Sequence, residues 1–115
     1  MPEKIDRFVY VLDRERLSLS AFPLNLDISN RKNVAGKLHY NRLDPTDYVS
    51  ITIMHIIVFP EFTRQGLATD MYNQMIELGF RIFRSPTQTR LGRLLWQSFC
   101  RKGFVQNNEY IGISL

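Results

Sequence analysis

From Tyr48 to Phe59 the chain runs as one long, mostly apolar segment rich in β-branched residues, and at Pro60 its pattern changes period. Before the proline, side chains alternate as on a strand, with Tyr48, Ser50, Thr52, Met54, Ile56 and Val58 on one face. Val49, Ile51, Ile53, His55 and Ile57 take the other face. After the proline, Leu67, Met71, Met75 and Leu78 recur at helical spacing. Between them lies a short basic loop containing Gly66. A strand joined so tightly to a helix fixes one sheet position, one helix packed on that sheet, and the loop between them. The start of that helix leaves backbone N–H groups without intrahelical acceptors and carries the positive end of the helix dipole. Such an end suits a diphosphate. Gly66 lets a phosphate approach the backbone closely, Ala68 keeps the next turn open, and Arg64 adds a fixed charge beside the loop.

Three strands are expected ahead of this unit, at residues 7–12, 17–22 and 34–43, with a turn at Asp44-Pro45-Thr46-Asp47 before the fourth. Gly79 should cap the first helix, with Phe80 packing back on it. Residues 80–84 read as a fifth strand. Ser85-Pro86-Thr87-Gln88-Thr89 then leads into a second helix with Leu91, Leu94, Leu95 and Phe99 inward, stopped by Gly103. Ser85, Thr87 and Gln88 are turn formers or polar ligand contacts, and Thr89 is an N-cap. Residues 104–105 and 110–115 supply one or two last strands, with Asn107-Asn108 as a turn. The expected class is α/β or α+β: a mostly antiparallel twisted sheet of about six strands with helices packed on it.

A chain of 115 residues is expected to form one domain, residues 1–115, with a single core. One cysteine, Cys100, excludes an internal disulfide framework, fits a reducing compartment, and reads as a buried small residue. The apolar run from Ile53 to Phe59 is too short to cross a bilayer, and Met1 to Asp6 has no signal-peptide core. These features lead us to expect a soluble cytoplasmic protein with no membrane segment. The net charge of +4 is uneven, because Arg81, Arg84, Arg90, Arg93, Arg101 and Lys102 crowd the last third. That crowding fits a nucleic-acid surface, attraction of an anionic cofactor, or a solvated helix face. No arginine-rich run or aromatic-interleaved stripe favours nucleic acid.

The segment Thr63-Arg64-Gln65-Gly66-Leu67-Ala68, after Val58-Phe59-Pro60, resembles the acyl-CoA-binding motif of the GNAT N-acetyltransferase superfamily. The family pattern is Gln/Arg-x-x-Gly-x-Gly/Ala after a strand often ending Val-x-Pro. Thr63 departs from it by replacing Gln or Arg. A second family feature, a helix ending in Gly-Phe, has its counterpart in Leu95 to Phe104, closing on Gly103-Phe104. The resemblance spans residues 34–104 and implies a GNAT-like acyltransferase fold, in which the sheet parts between its fourth and fifth strands to admit the pantetheine arm. It implies acetyl-CoA as co-substrate, with direct acetyl transfer to an amine in a ternary complex. The acceptor would be an amine-bearing small molecule or a protein. Backbone groups of Ile56, Ile57 and Val58 would follow the pantetheine arm, with the Val58 amide as oxyanion donor. Arg64, Gln65, Gly66, Leu67, Ala68 and Thr69 would hold the diphosphate.

Acid–base residues are sparse. The family's strand glutamate falls near Thr52, which is no base at neutral pH. His55 has a suitable ordinary pKa. It is either a base or a hydrogen-bonded core histidine, and a bulge in the strand would change its direction. His39 is a weaker candidate on the third strand. The family's acid tyrosine falls at Phe99, which has no proton to give and reads as core. Trp96 lines a groove or packs in the core. No metal-ligand spacing appears. Family members usually carry one or two helices between the first two strands, and Asp13-Arg14-Glu15-Arg16 is too short for that. Such an open site favours a bulky acceptor or a partner subunit, and a homodimer through edge strands is one arrangement. A catalytically weakened relative, binding CoA or a protein, is the alternative function.

Overall fold

The computed structural model describes residues 8–24, 27, 29–63, 66–84, 90–103, 105–106 and 110–112. β1 (Phe8–Asp13) and β2 (Ser18–Pro23) form an antiparallel hairpin with no helix between them. One Asp13 carboxylate oxygen accepts the amides of Glu15 and Arg16 at 3.1 Å each and so closes the turn. Leu17 completes it at φ 53°, a left-handed conformation uncommon outside glycine.

β3 (Gly36–Asp44) and β4 (Asp47–Val58) form the longest hairpin. Two aspartates shape its turn. Asp44 accepts the amide and hydroxyl of Thr46 at 2.9 and 2.8 Å, and Asp47 accepts the amides of Val49 and Ser50 at 2.9 and 3.2 Å. These bonds hold both carboxyls below the usual carboxylate range, led by the backbone amides of Thr46 and Val49. Then follow α1 (Leu67–Glu77), β5 (Arg81–Phe83), α2 (Arg90–Arg101), β6 (Val105–Gln106) and β7 (Tyr110–Ile111). The strands form one mixed sheet in the order β1-β2-β3-β4-β5-β7-β6. Among the described residues only β4 and β5 run parallel, as a strand-helix-strand unit requires. The class is α+β.

α1 ends as its sequence implies. Gly79 takes φ 97°, its amide bonds Ile76 O at 2.9 Å, and the Phe80 amide bonds Met75 O at 3.1 Å. This is a Schellman cap, and Phe80 turns back into the core. Leu67, Met71, Tyr72 and Met75 face inward, while Leu78, at the cap, is exposed.

The inward face of α2 agrees with expectation at Phe99, and at Leu95, which packs against the core, but not at Leu91 and Leu94. Gly92, Trp96 and Phe99 are buried, whereas Leu91 and Leu94 are exposed. Tyr72 of α1 stacks on Phe99 with ring centroids 5.3 Å apart. That contact sets the rotation of α2. Aromatic rings bury more area than leucine, so they take the interior positions. Gly36 of β3 permits close approach of α1: a Cβ there would lie 3.0 Å from Met71 Cε and 3.1 Å from a Leu67 methyl.

A bulge in β4 overturns the simple alternation. His39 pairs with His55, but Tyr40 pairs with Ile53, leaving Met54 as an extra residue. Side chains beyond it change face. Ile56 joins Ile51 and Ile53 in the core, with Val58 packed against them. His55 and Ile57 move to the opposite face, in register with His39 and Lys37.

Candidate functional site

β4 and β5 lie side by side only over Ser50–Thr52 and Arg81–Phe83. Among the described residues, β4 beyond Thr52 pairs with β3 alone. One hydrogen bond fixes the backbone direction there: Phe59 donates to Ala35 O at 2.9 Å, on the β3 side. Amides point to alternate sides along a strand. Ile57 therefore also turns its amide to β3. Ile56 and Val58 turn theirs away, to the side where β5 has ended. Of the three expected pantetheine contacts, two face the side where no described strand pairs with β4 and one is used within the sheet.

Past Val58 the chain makes a 3-10 turn at Pro60–Phe62. The Thr63 hydroxyl donates to Pro60 O at 3.0 Å, so this side chain serves the turn. Arg64 and Gln65, expected at the diphosphate, lie outside the described residues, as do Ser85, Thr87, Gln88 and Thr89. Gly66 forms the N-cap of α1 at φ 74°, ψ 16°, which glycine adopts without strain. Its carbonyl accepts the Asp70 amide at 3.0 Å, the first bond of the helix. The amides of Leu67, Ala68 and Thr69 precede that bond, and Gly66 has no side chain to cap them. The Leu67 side chain is buried, while Ala68 and Thr69 are half-buried at the mouth of the helix.

Asp70 was not singled out by sequence, although its place in the first turn was legible. Its carboxylate complements the helix dipole and sets a negative charge beside the same amides. Burial, then Asp70 and Glu77, push the Tyr10 phenol up to about 12. On the β3 side of the loop lies a cavity of about 370 Å³, lined by Arg31, Lys32, Phe59 and Phe62 among others.

His55 is half-buried on the sheet face opposite Ile53 and Ile56, which corrects its expected place on the apolar face. Its ring lies 4.5 Å from that of His39, centroid to centroid, with the planes tilted by 35°. Burial, then His55 and Lys37, lower the His39 pKa. A regular ladder running from the Asp44–Asp47 pair would place Thr52 opposite His39. Two register shifts along the hairpin bring His55 there instead, and nothing in the residue spacing marks them.

Thr52 is nearly buried and Phe99 is buried against Tyr72, so neither position carries a usable acid or base. Burial pushes the Tyr72 phenol up to about 12. Trp96 is a core residue whose remaining edge borders a second cavity. Cys100 is exposed, which corrects its expected burial: it lies on the outer face of α2, next to Phe99 on the inner one. Among the described residues no group of three His, Cys, Asp or Glu side chains gathers to hold a metal, and no helix is long and apolar enough to cross a membrane. Comparison with protein-family models, with curated proteins and with solved structures finds no match for this chain.

Proposed function

We propose that this protein is an acetyl-CoA-dependent N-acetyltransferase of the GNAT type. The observation that carries the reading is the end of β4. The strand outlasts its parallel neighbour, turns the Ile56 and Val58 amides to the side where no described strand pairs with it, and leads directly into a helix start whose glycine N-cap offers no side-chain cap. An extended, amide-bearing pantetheine arm can add to such an edge as a strand does. The uncapped amides of Leu67, Ala68 and Thr69 then meet its diphosphate.

Acetyl transfer joins the acceptor nitrogen to the carbonyl carbon and breaks the carbon–sulfur bond. The Val58 amide would donate to the carbonyl oxygen as negative charge develops there. The proton lost by the amine passes to water or to an imidazole, and the leaving thiolate takes one from solvent. Positioning of the two substrates would supply much of the rate. The acceptor is an amine on a small molecule or a protein.

Thr69→Glu tests this reading without endangering the fold. Glutamate at the third helical position favours the dipole, yet repels a diphosphate. Calorimetry should show acetyl-CoA binding to the wild type and at least about tenfold weaker binding to the variant, the equivalent of about 1.4 kcal/mol. Equal affinity in the two proteins, or no binding at all, would overturn the proposal.

The buried Thr52 and Phe99 favour a second reading, a CoA-binding or protein-interaction module of the same fold with weakened catalysis. Thiol release from acetyl-CoA with a panel of amines separates the two. Binding with no amine-dependent release supports the module.

A further inference from the structure

A separate cavity of about 470 Å³ lies against α2, away from the start of α1, and is lined by Arg84, Arg93, Trp96, Gln97, Cys100 and Arg101. Arg93, Gln97 and Arg101 recur at four-residue spacing, with Cys100 three residues after Gln97, which places them on one side of the helix. Arg84 comes in from the end of β5. Among the described residues no carboxylate lines the cavity. Among the described residues none of the three guanidinium groups is held in an ion pair or against an aromatic ring, unlike Arg16, Arg14, Arg42 and Arg81. Three like charges around one concavity repel each other, and an anion relieves that repulsion.

The guanidinium fork matches phosphate oxygens in a bidentate way, and the Gln97 amide adds a neutral donor and acceptor. The volume exceeds what a lone inorganic ion fills and falls in the range of small-molecule sites. We propose that this cavity binds a small molecule bearing a diphosphate or two phosphoryl groups, held by Arg84, Arg93 and Arg101. The site is independent of the acyl-CoA reading. It uses no residue of β4 or of the loop before α1.

Trp96 is the only tryptophan of the chain and borders the cavity, so its emission reports occupancy locally. Inorganic pyrophosphate is the probe, titrated into the full chain. A saturable change in Trp96 emission is expected. In Arg93→Gln/Arg101→Gln its midpoint should rise by about tenfold or more. Both arginines are exposed, so the variant should keep the circular dichroism of the wild type. In Thr69→Glu the midpoint should be unchanged, because that variant disturbs only the start of α1. The proposal is overturned by the absence of any change up to about 10 mM pyrophosphate. It is also overturned if the midpoint is the same in the double-arginine variant, or if it shifts with Thr69→Glu. A single-stranded oligonucleotide that quenches Trp96 and is not displaced by pyrophosphate would assign the surface to nucleic acid instead, and would equally overturn it.

Discussion

The two halves of β4 have similar composition and opposite situations. Ser50, Ile51 and Thr52 lie between β3 and β5, and all three are buried. Met54 and Ile57, a few residues on, are about half exposed, at 46% and 47%. The first half has ladder partners on both sides and is structural. The second has β3 on one side and, among the described residues, no ladder partner on the other. A strand edge with unused amides is usually a liability, because another strand can pair with it. Here the bulge at Met54, the exposed side chains beyond it and the proline that follows limit that risk, while the amides of Ile56 and Val58 have no ladder partner among the described residues. The same isoleucine-rich sequence is therefore paired on both sides in one place and, among the described residues, on one side in the next, where Ile56 still reaches the core and Ile57 does not.

The comparison is broken most forcefully by truncating one residue in each half. Ile51→Ala should cost about 3 kcal/mol, since the side chain is fully buried and leaves a cavity. Ile57→Ala should change stability by less than about 0.5 kcal/mol. Denaturant unfolding of the two variants checks this, and equal costs would show that the second half is packed as the first is. A smaller effect is expected at the helix to which the open half leads. Asp70→Asn removes the carboxylate of the helix's first turn. Acetyl-CoA should then bind about two- to fivefold more tightly, while thermal stability falls slightly because the dipole loses its complement. An affinity that falls with the stability would place the diphosphate elsewhere.

The smallest effect concerns His39, the β3 residue paired with His55 of the second half. Because the folded-state pKa of His39 is lowered, the folded protein binds its proton less readily than the unfolded chain does. His39 therefore leaves stability intact above its ordinary pKa, near 6.5, and stability is lost as pH falls through the lowered folded value. Melting temperatures at pH 7 and pH 5 should differ less in His39→Gln than in the wild type. An unchanged pH response would mean that the His39–His55 contact carries no charge penalty.

Much of the fold was legible because it rests on local chemistry. The Pro45-Thr46 turn, the glycine caps at Gly79 and Gly103, and the change of period at Pro60 each leave a mark in adjacent residues. The start of α1 at Leu67, with Gly66 before it, was legible for the same reason. The inward face of α2 was legible only at Leu95 and Phe99, since apolar character alone does not rank Leu91 and Leu94 below Trp96. The Tyr72–Phe99 stack is one of the contacts on the stripe that turns in.

The sequence by itself determined the order of elements and the strand-loop-helix unit, because turn residues and hydrophobic period act within a few positions. Tertiary structure alone decided which face His55 occupies, which amides of β4 turn away from β3, and which arginines share a cavity. Each of these depends on ladder register and strand length, and those are settled between segments far apart in the chain.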